Sequence, residues 1–112
     1  MNNRTLEIVE HTRDGKSQFE RWFNSLDTVP AAKITVALYR LETGNFSNVK
    51  PVGKGVMEYR IDFGPGYRIY FGREGNTLVI LLGGGTKRTQ RRDIIKAQES
   101  WQQYKTVKRD LR

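Results

Sequence analysis

The residues best suited to chemistry lie between Val56 and Arg92. From Met57 to Phe63 the side chains alternate. Met57, Tyr59, Ile61 and Phe63 fall on one strand face, and Glu58, Arg60 and Asp62 on the other. After Gly64-Pro65-Gly66 the alternation resumes, with Tyr67, Ile69 and Phe71 opposed to Arg68 and Tyr70. One sheet face therefore carries arginines beside a tyrosine. Arginine offers phosphate oxygens a rigid, permanently charged fork. Such a face suits a polyanion and can stabilise a phosphate that gains charge during a reaction. RNA cleavage by its own 2′-hydroxyl needs no protein nucleophile and no metal. It needs alignment of the attacking oxygen and stabilisation of the phosphorane-like transition state, and a weak general acid or base adds to the rate. Arg60, Arg68, Tyr70, Lys87 and Arg88 are the catalytic candidates. Lys50, Lys54, Arg91 and Arg92 are the candidates for RNA binding. The competing reading pairs the strand arginines with Glu58 and Asp62 as ion pairs that serve solubility.

Other chemistries find less support. Gly83-Gly84-Gly85-Thr86-Lys87 has a superficial likeness to a phosphate loop, but Thr86 precedes the lysine and Arg88 follows it, so the nucleotide-hydrolase pattern fails. His11 is the single histidine, which excludes a site built on several histidines. There is no cysteine, so neither disulfides nor thiolate metal sites are available. No cofactor is expected.

The elements that must position these residues follow from periodicity. Leu6 to Glu10 reads as an opening strand, and Asp14-Gly15 as a turn. Ser17-Gln18-Phe19-Glu20 has the capping-box pattern. Phe19, Trp22, Phe23 and Leu26 then form a helical apolar stripe. A second helix is predicted from about Pro30, with Ile34, Ala37, Leu38 and Leu41 inward and Gly44 as its stop. Asn45 to Gly55 reads as a loop, because Pro51, Gly53 and Gly55 oppose regular structure. A short turn pairing Phe63 with Tyr67 would set Asp62 opposite Arg68 and Arg60 opposite Tyr70. Gly72 to Asn76 is a predicted turn, and Thr77–Leu82 an apolar central strand followed by the glycine run. A last helix is predicted to begin between Thr89 and Asp93, with Ile94, Ala97, Trp101 and Tyr104 inward and a polar tail, 105–112, that frays. The expected order is β-α-α-β-β-β-α, a single α+β domain over 1–112 with helices on a largely antiparallel sheet.

The chain has 112 residues and a net charge of +8. Residues 84–112 hold nine Lys/Arg and three Asp/Glu, whereas residues 1–83 are nearly balanced. A basic final third suggests nucleic acid or an acidic protein as partner, against the plainer alternative of a solvated basic helix and tail. Met1-Asn2-Asn3-Arg4 lacks the apolar core of a signal peptide. No apolar run approaches the roughly 20 residues that span a bilayer. A cytoplasmic protein without a membrane partner is expected.

At these residues the chain resembles the RelE/ParE superfamily of bacterial toxins, and within it the HigB-like, phage-related addiction module killer proteins. The resemblance runs from about Ser17 to Gln98. It rests on Glu58-Tyr59-Arg60, Gly66-Tyr67-Arg68-Ile69-Tyr70, the apolar strand, Lys87-Arg88-Thr89-Gln90 and Asp93-Ile94-Ile95-Lys96-Ala97, in that order. It implies a RelE-like fold and a toxin of a toxin–antitoxin module. The activity implied is metal-independent, ribosome-dependent endoribonuclease cleavage of mRNA that inhibits translation, with a cognate antitoxin, the ribosome and mRNA as partners. It also implies that Arg68 contacts the scissile phosphate, that Lys87 or Arg88 assists, and that Arg60 matches a basic position on the preceding strand. RelE carries a catalytic tyrosine near the start of its last helix, where this chain has Ile94 or a neighbour. Tyr70 is the phenol on the same sheet face. A ParE-like toxin that binds DNA gyrase and a non-catalytic nucleic-acid-binding regulator are the alternatives. ParE-type members generally lack the basic set that Arg60, Arg68, Lys87 and Arg88 retain.

Overall fold

The computed structural model describes residues 5–111; the opening residues 1–4 and Arg112 lie outside the described residues. A five-stranded sheet forms the centre, in the order β1-β7-β6-β5-β4. Its strands are β1 (Glu7–Glu10), β4 (Val49–Pro51), β5 (Met57–Ile61), β6 (Tyr67–Glu74) and β7 (Leu78–Thr86). β1 runs parallel to β7, and the other pairs are antiparallel. A small hairpin of β2 (Thr12–Arg13) and β3 (Lys16–Ser17) closes around Asp14 and Gly15 and leads into the first helix.

Three helices cover the sheet: α1 (Gln18–Asn24), α2 (Thr28–Glu42) and α3 (Gln90–Asp110). Ser17 caps α1, its hydroxyl accepting the Glu20 N–H at 3.0 Å, which satisfies one of the free donors of the first turn. Phe19 of α1 and Ile34, Ala37 and Leu41 of α2 are buried in one core with Tyr59, Ile69, Phe71, Val79 and Leu81 of the sheet. The opposite sheet face buries Val56, Tyr70, Ile80 and Leu82 beneath Ala97 and Trp101 of α3. The apolar run in β7 thus serves two cores, as expected of a strand covered on both faces. Among the described residues no helix is long and apolar enough to cross a membrane.

Several sequence-based boundaries are corrected. The expected loop Asn45–Gly55 contains β4, because an edge strand tolerates Pro51 where a central strand would not. Gly72 does not begin a turn: β6 continues through Glu74. Gly83–Gly85 does not follow the last strand but belongs to it. The second helix begins at Thr28, ahead of Pro30. The expected fraying tail is helical through Asp110. The β5–β6 register differs by two residues, with Ile61 rather than Phe63 opposite Tyr67. The shift is even, so every side chain keeps its predicted face. Arg60 therefore pairs with Arg68 and Glu58 with Tyr70, while Asp62 falls in the turn.

Candidate nucleic-acid interface

The sheet face beneath the start of α3 holds a buried polar cluster. Glu58, at 0% exposure, is its centre. Gln90, in the first turn of α3, donates its side-chain amide to Glu58 Oε2 at 2.9 Å. Arg68 Nε lies 3.8 Å from the same oxygen, and Lys50 Nζ lies 3.8 Å from Oε1. Arg68 is itself buried and donates through its terminal nitrogen to Gly66 O at 2.7 Å. That carbonyl also accepts the Lys87 N–H at 2.9 Å. Arg68 and Lys87 therefore meet at the Gly66 turn. A side chain at Gly66 would crowd Arg68, since an added Cβ would lie 3.0 Å from its guanidinium, and the positive φ of 79° there also favours glycine.

The cluster leaves hydrogen-bonding capacity unused. Glu58 Oε1, Arg68 Nε and the Tyr70 hydroxyl are buried without a hydrogen bond. Tyr70 is wholly enclosed. Burial first, and then the negative charge of Glu58, raise its pKa far above the ordinary phenol value. Its hydroxyl is therefore neutral and sealed from solvent, a poor arrangement for exchanging protons with a bound molecule. Tyr70→Phe is expected to leave thermal stability nearly unchanged, because the hydroxyl that it removes lies near Glu58 without a hydrogen bond of good geometry. A clear fall in the melting temperature of Tyr70→Phe would show that the hydroxyl is bound to Glu58 after all.

The remaining candidates are exposed and form separate groups. Arg60 and Lys50 line a shallow depression with Ser47 and Asn48. Arg88, Arg91 and Arg92 line a groove along the start of α3 with Ile95 and Lys96. Lys54 lies apart from both, in a depression with Arg13 and Gln98. The structure divides these residues into a buried pair, Arg68 and Tyr70, and exposed cations that form the rim. The competing ion-pair reading holds for Glu58, whereas Asp62 makes no ion pair among the described residues.

Two features escape sequence reasoning. Gln90 is a helix-start residue whose role depends on a contact 32 positions away. The glycine run is a packing device. Trp22 of α1 occupies the space that a side chain on Gly84 would need, and the Asp93 carboxylate does the same at Gly85. Asp93 is held by the Thr89 hydroxyl at 2.5 Å. The glycines thereby let both helices press against β7 and bring Lys87–Arg92 close to the sheet. Among the described residues no group of three or more His, Asp or Glu side chains is placed to hold a metal ion.

No protein-family profile matches the chain. A protein of Haemophilus influenzae, described as uncharacterized, is 46% identical over 80 residues, which cover 70% of this chain and 81% of that protein.

Proposed function

The chain belongs to one family with this Haemophilus influenzae protein, and we propose that it is a toxin endoribonuclease of the RelE-like, HigB-like kind, cleaving mRNA on the ribosome. The observation that carries the proposal is the Gly66 carbonyl, which accepts both the Arg68 guanidinium and the Lys87 backbone N–H and so fixes the Lys87 backbone beside Arg68, with Arg60 directly across the strand pair from Arg68. The strand order, with a helical hairpin on one face and a long helix on the other, supports a RelE-like topology.

The proposed mechanism uses fixed positive charge. Arg60, Lys87 and Arg88 are exposed at the rim and would receive the phosphates flanking the scissile bond. Arg68, clamped by Glu58 and Gly66, would add its charge from a position that needs no reorganisation as the transition state forms. Glu58 is shared by two cations, Lys50 and Arg68, each with nitrogen 3.8 Å from a carboxylate oxygen. The 2′-oxygen would attack the phosphorus as the bond to the 5′-oxygen breaks, with water taking the 2′-hydroxyl proton and returning one to the leaving 5′-oxygen, and alignment of the strand on the rim would supply the rest of the rate. A cognate antitoxin would neutralise the protein by covering this surface with acidic side chains.

The decisive experiment is brief induction of the protein followed by mapping of mRNA 5′ ends. New ends within translated frames are expected; growth arrest without new ends would rule out cleavage. Association with ribosomes or mRNA is also expected to weaken steeply with salt. Each phosphate neutralised on a single strand adds roughly 0.7 to the logarithmic slope. A flat salt titration would remove the basic rim from the interface.

Burial of Arg68 and Tyr70 favours one second reading, a non-catalytic nucleic-acid-binding regulator that uses only the exposed α3 rim. RNA binding without growth arrest or new 5′ ends would select it.

A further inference from the structure

Lys54 is a cation that the proposed reaction leaves unused, and its backbone is strained. It stands at the tip of the β4–β5 hairpin with φ of 56°, between Gly53 and Gly55, which also have positive φ. Apart from Asp14, it is the only non-glycine with positive φ among the described residues. Aspartate and asparagine enter that region readily, whereas lysine gains nothing locally from it. The tip is held there by α3. Gln98 donates its side-chain amide to the Val52 carbonyl at 3.0 Å, and the Trp101 indole closes over Gly55. Strain that the surroundings maintain is a pointer to function. Lys54 lines a depression beside α3 with Arg13 of the β2–β3 hairpin, so two hairpins distant in sequence bring one cation each to the same place. Neither cation has an ion-pair partner among the described residues. Gln103 lines the same depression and turns its amide oxygen to His11 at 2.7 Å, which leaves its NH2 group to donate elsewhere. The depression is separate from the groove of Arg88, Arg91 and Arg92, but Ile95 lines both, so the two follow one another along α3. With Lys96 they carry six cations against one carboxylate, Glu99.

We propose that a single RNA strand seated on the α3 rim continues along the helix to a second phosphate site between Lys54 and Arg13. The extension rests on the reading of that rim as an RNA surface, and it requires no cleavage. From Arg91 to Thr106 the helix spans roughly 22 Å at the α-helical rise, room for several nucleotides. Lys54 and Arg13 would each take a phosphate, and the Gln103 amide would donate to phosphate or sugar oxygens. These cations are spread along a path rather than gathered in one pocket, which suits the evenly repeated charge of a phosphate backbone. The strain at Lys54 then has a use, because it holds the ammonium over the path instead of leaving it on a mobile loop.

The test measures binding of two 2′-O-methyl oligouridylates, which lack the hydroxyl needed for self-cleavage, to the intact protein. A trimer can cover the rim alone, and a dodecamer can follow α3. Arg13→Gln together with Lys54→Asn is expected to weaken the dodecamer about tenfold or more and to leave the trimer unchanged. Removing two phosphate contacts, at roughly 0.7 each, should also lower the logarithmic salt slope of the dodecamer by about 1.4. Asparagine accepts the left-handed backbone better than lysine, so Lys54→Asn alone should hold or raise the melting temperature while weakening the dodecamer. A purely structural role would not separate those two readouts. Equal dodecamer affinity in the parent and the double variant, or an equal loss for trimer and dodecamer, overturns the extension and leaves the rim as an RNA surface. If neither oligomer binds the parent, the rim reading falls and the extension falls with it. A polyglutamate peptide that binds through Arg13 and Lys54 more tightly than the dodecamer would overturn the proposal in favour of an acidic protein.

Discussion

Arg68→Ala is expected to abolish growth arrest, slowing cleavage on the order of 10²–10³. The structure adds a second effect. Glu58 is fully buried, and Arg68 is the buried cation beside it. Truncating one partner of a buried pair leaves the other charge uncompensated, at a cost of about 3–5 kcal/mol. Gln90 and the partly exposed Lys50 soften that cost without replacing the guanidinium. The single variant should therefore lose both activity and melting temperature. Three proteins separate the two losses. Arg68→Ala combined with Glu58→Gln should recover much of the stability and none of the cleavage. Arg68→Lys keeps the charge but loses the fork that reaches Gly66, so it should fold and cleave slowly. A folded Arg68→Ala protein that arrests growth as the parent does would exclude Arg68 from the reaction.

How far the sequence discloses this molecule depends on the kind of signal. Alternation in Met57–Ile61 and Tyr67–Phe71 identifies both faces correctly, because a half-buried strand must separate apolar from polar residues. The exact pairing does not follow, since shifting the register by two residues preserves both faces. Asp62 was a plausible partner for Arg68 under the shorter turn, whereas the longer turn gives that place to Arg60 and makes Glu58 the buried carboxylate. Glycine is the other ambiguous signal. In Gly64-Pro65-Gly66 it marks a turn, and both glycines have positive φ there. In Gly72, Gly84 and Gly85 it marks strands approached closely by Trp101, Trp22 and Asp93. Composition alone does not separate these uses, because the second is set by side chains distant in sequence. The basic rim is legible, since exposed cations need no partner to be recognised. The buried hub is not, because a contact such as Gln90 to Glu58 exists only after α3 docks.

Trp101→Ala is expected to show how much of the candidate site depends on that docking. Trp101 is 5% exposed and stacks on Tyr104 with ring centroids 5.3 Å apart. Its indole fills the space left by the missing side chains of Gly55 and Gly72. Truncation would leave a void above two glycines, and neither has atoms that could move to fill it. The loss should therefore fall in the upper part of the usual range for buried aromatics, about 3–5 kcal/mol. Domains of this size commonly have about 5–15 kcal/mol in total, and each kcal/mol lowers the melting temperature by roughly 4–8 °C. Trp101→Phe restores part of the volume and should recover part of the loss. The effect should also reach the polar cluster, because α3 carries Gln90 to Glu58 and Arg88, Arg91 and Arg92 to the rim. Amide exchange at residues 58–70 should accelerate in the alanine variant well below its melting temperature. If exchange there stays at the parent rate while the melting temperature falls, the start of α3 is held by Asp93 over Gly85 and by the Gln90–Glu58 bond, independently of the tryptophan. An unchanged melting temperature would show that the packing of Trp101 against Gly55 and Gly72 does not anchor α3.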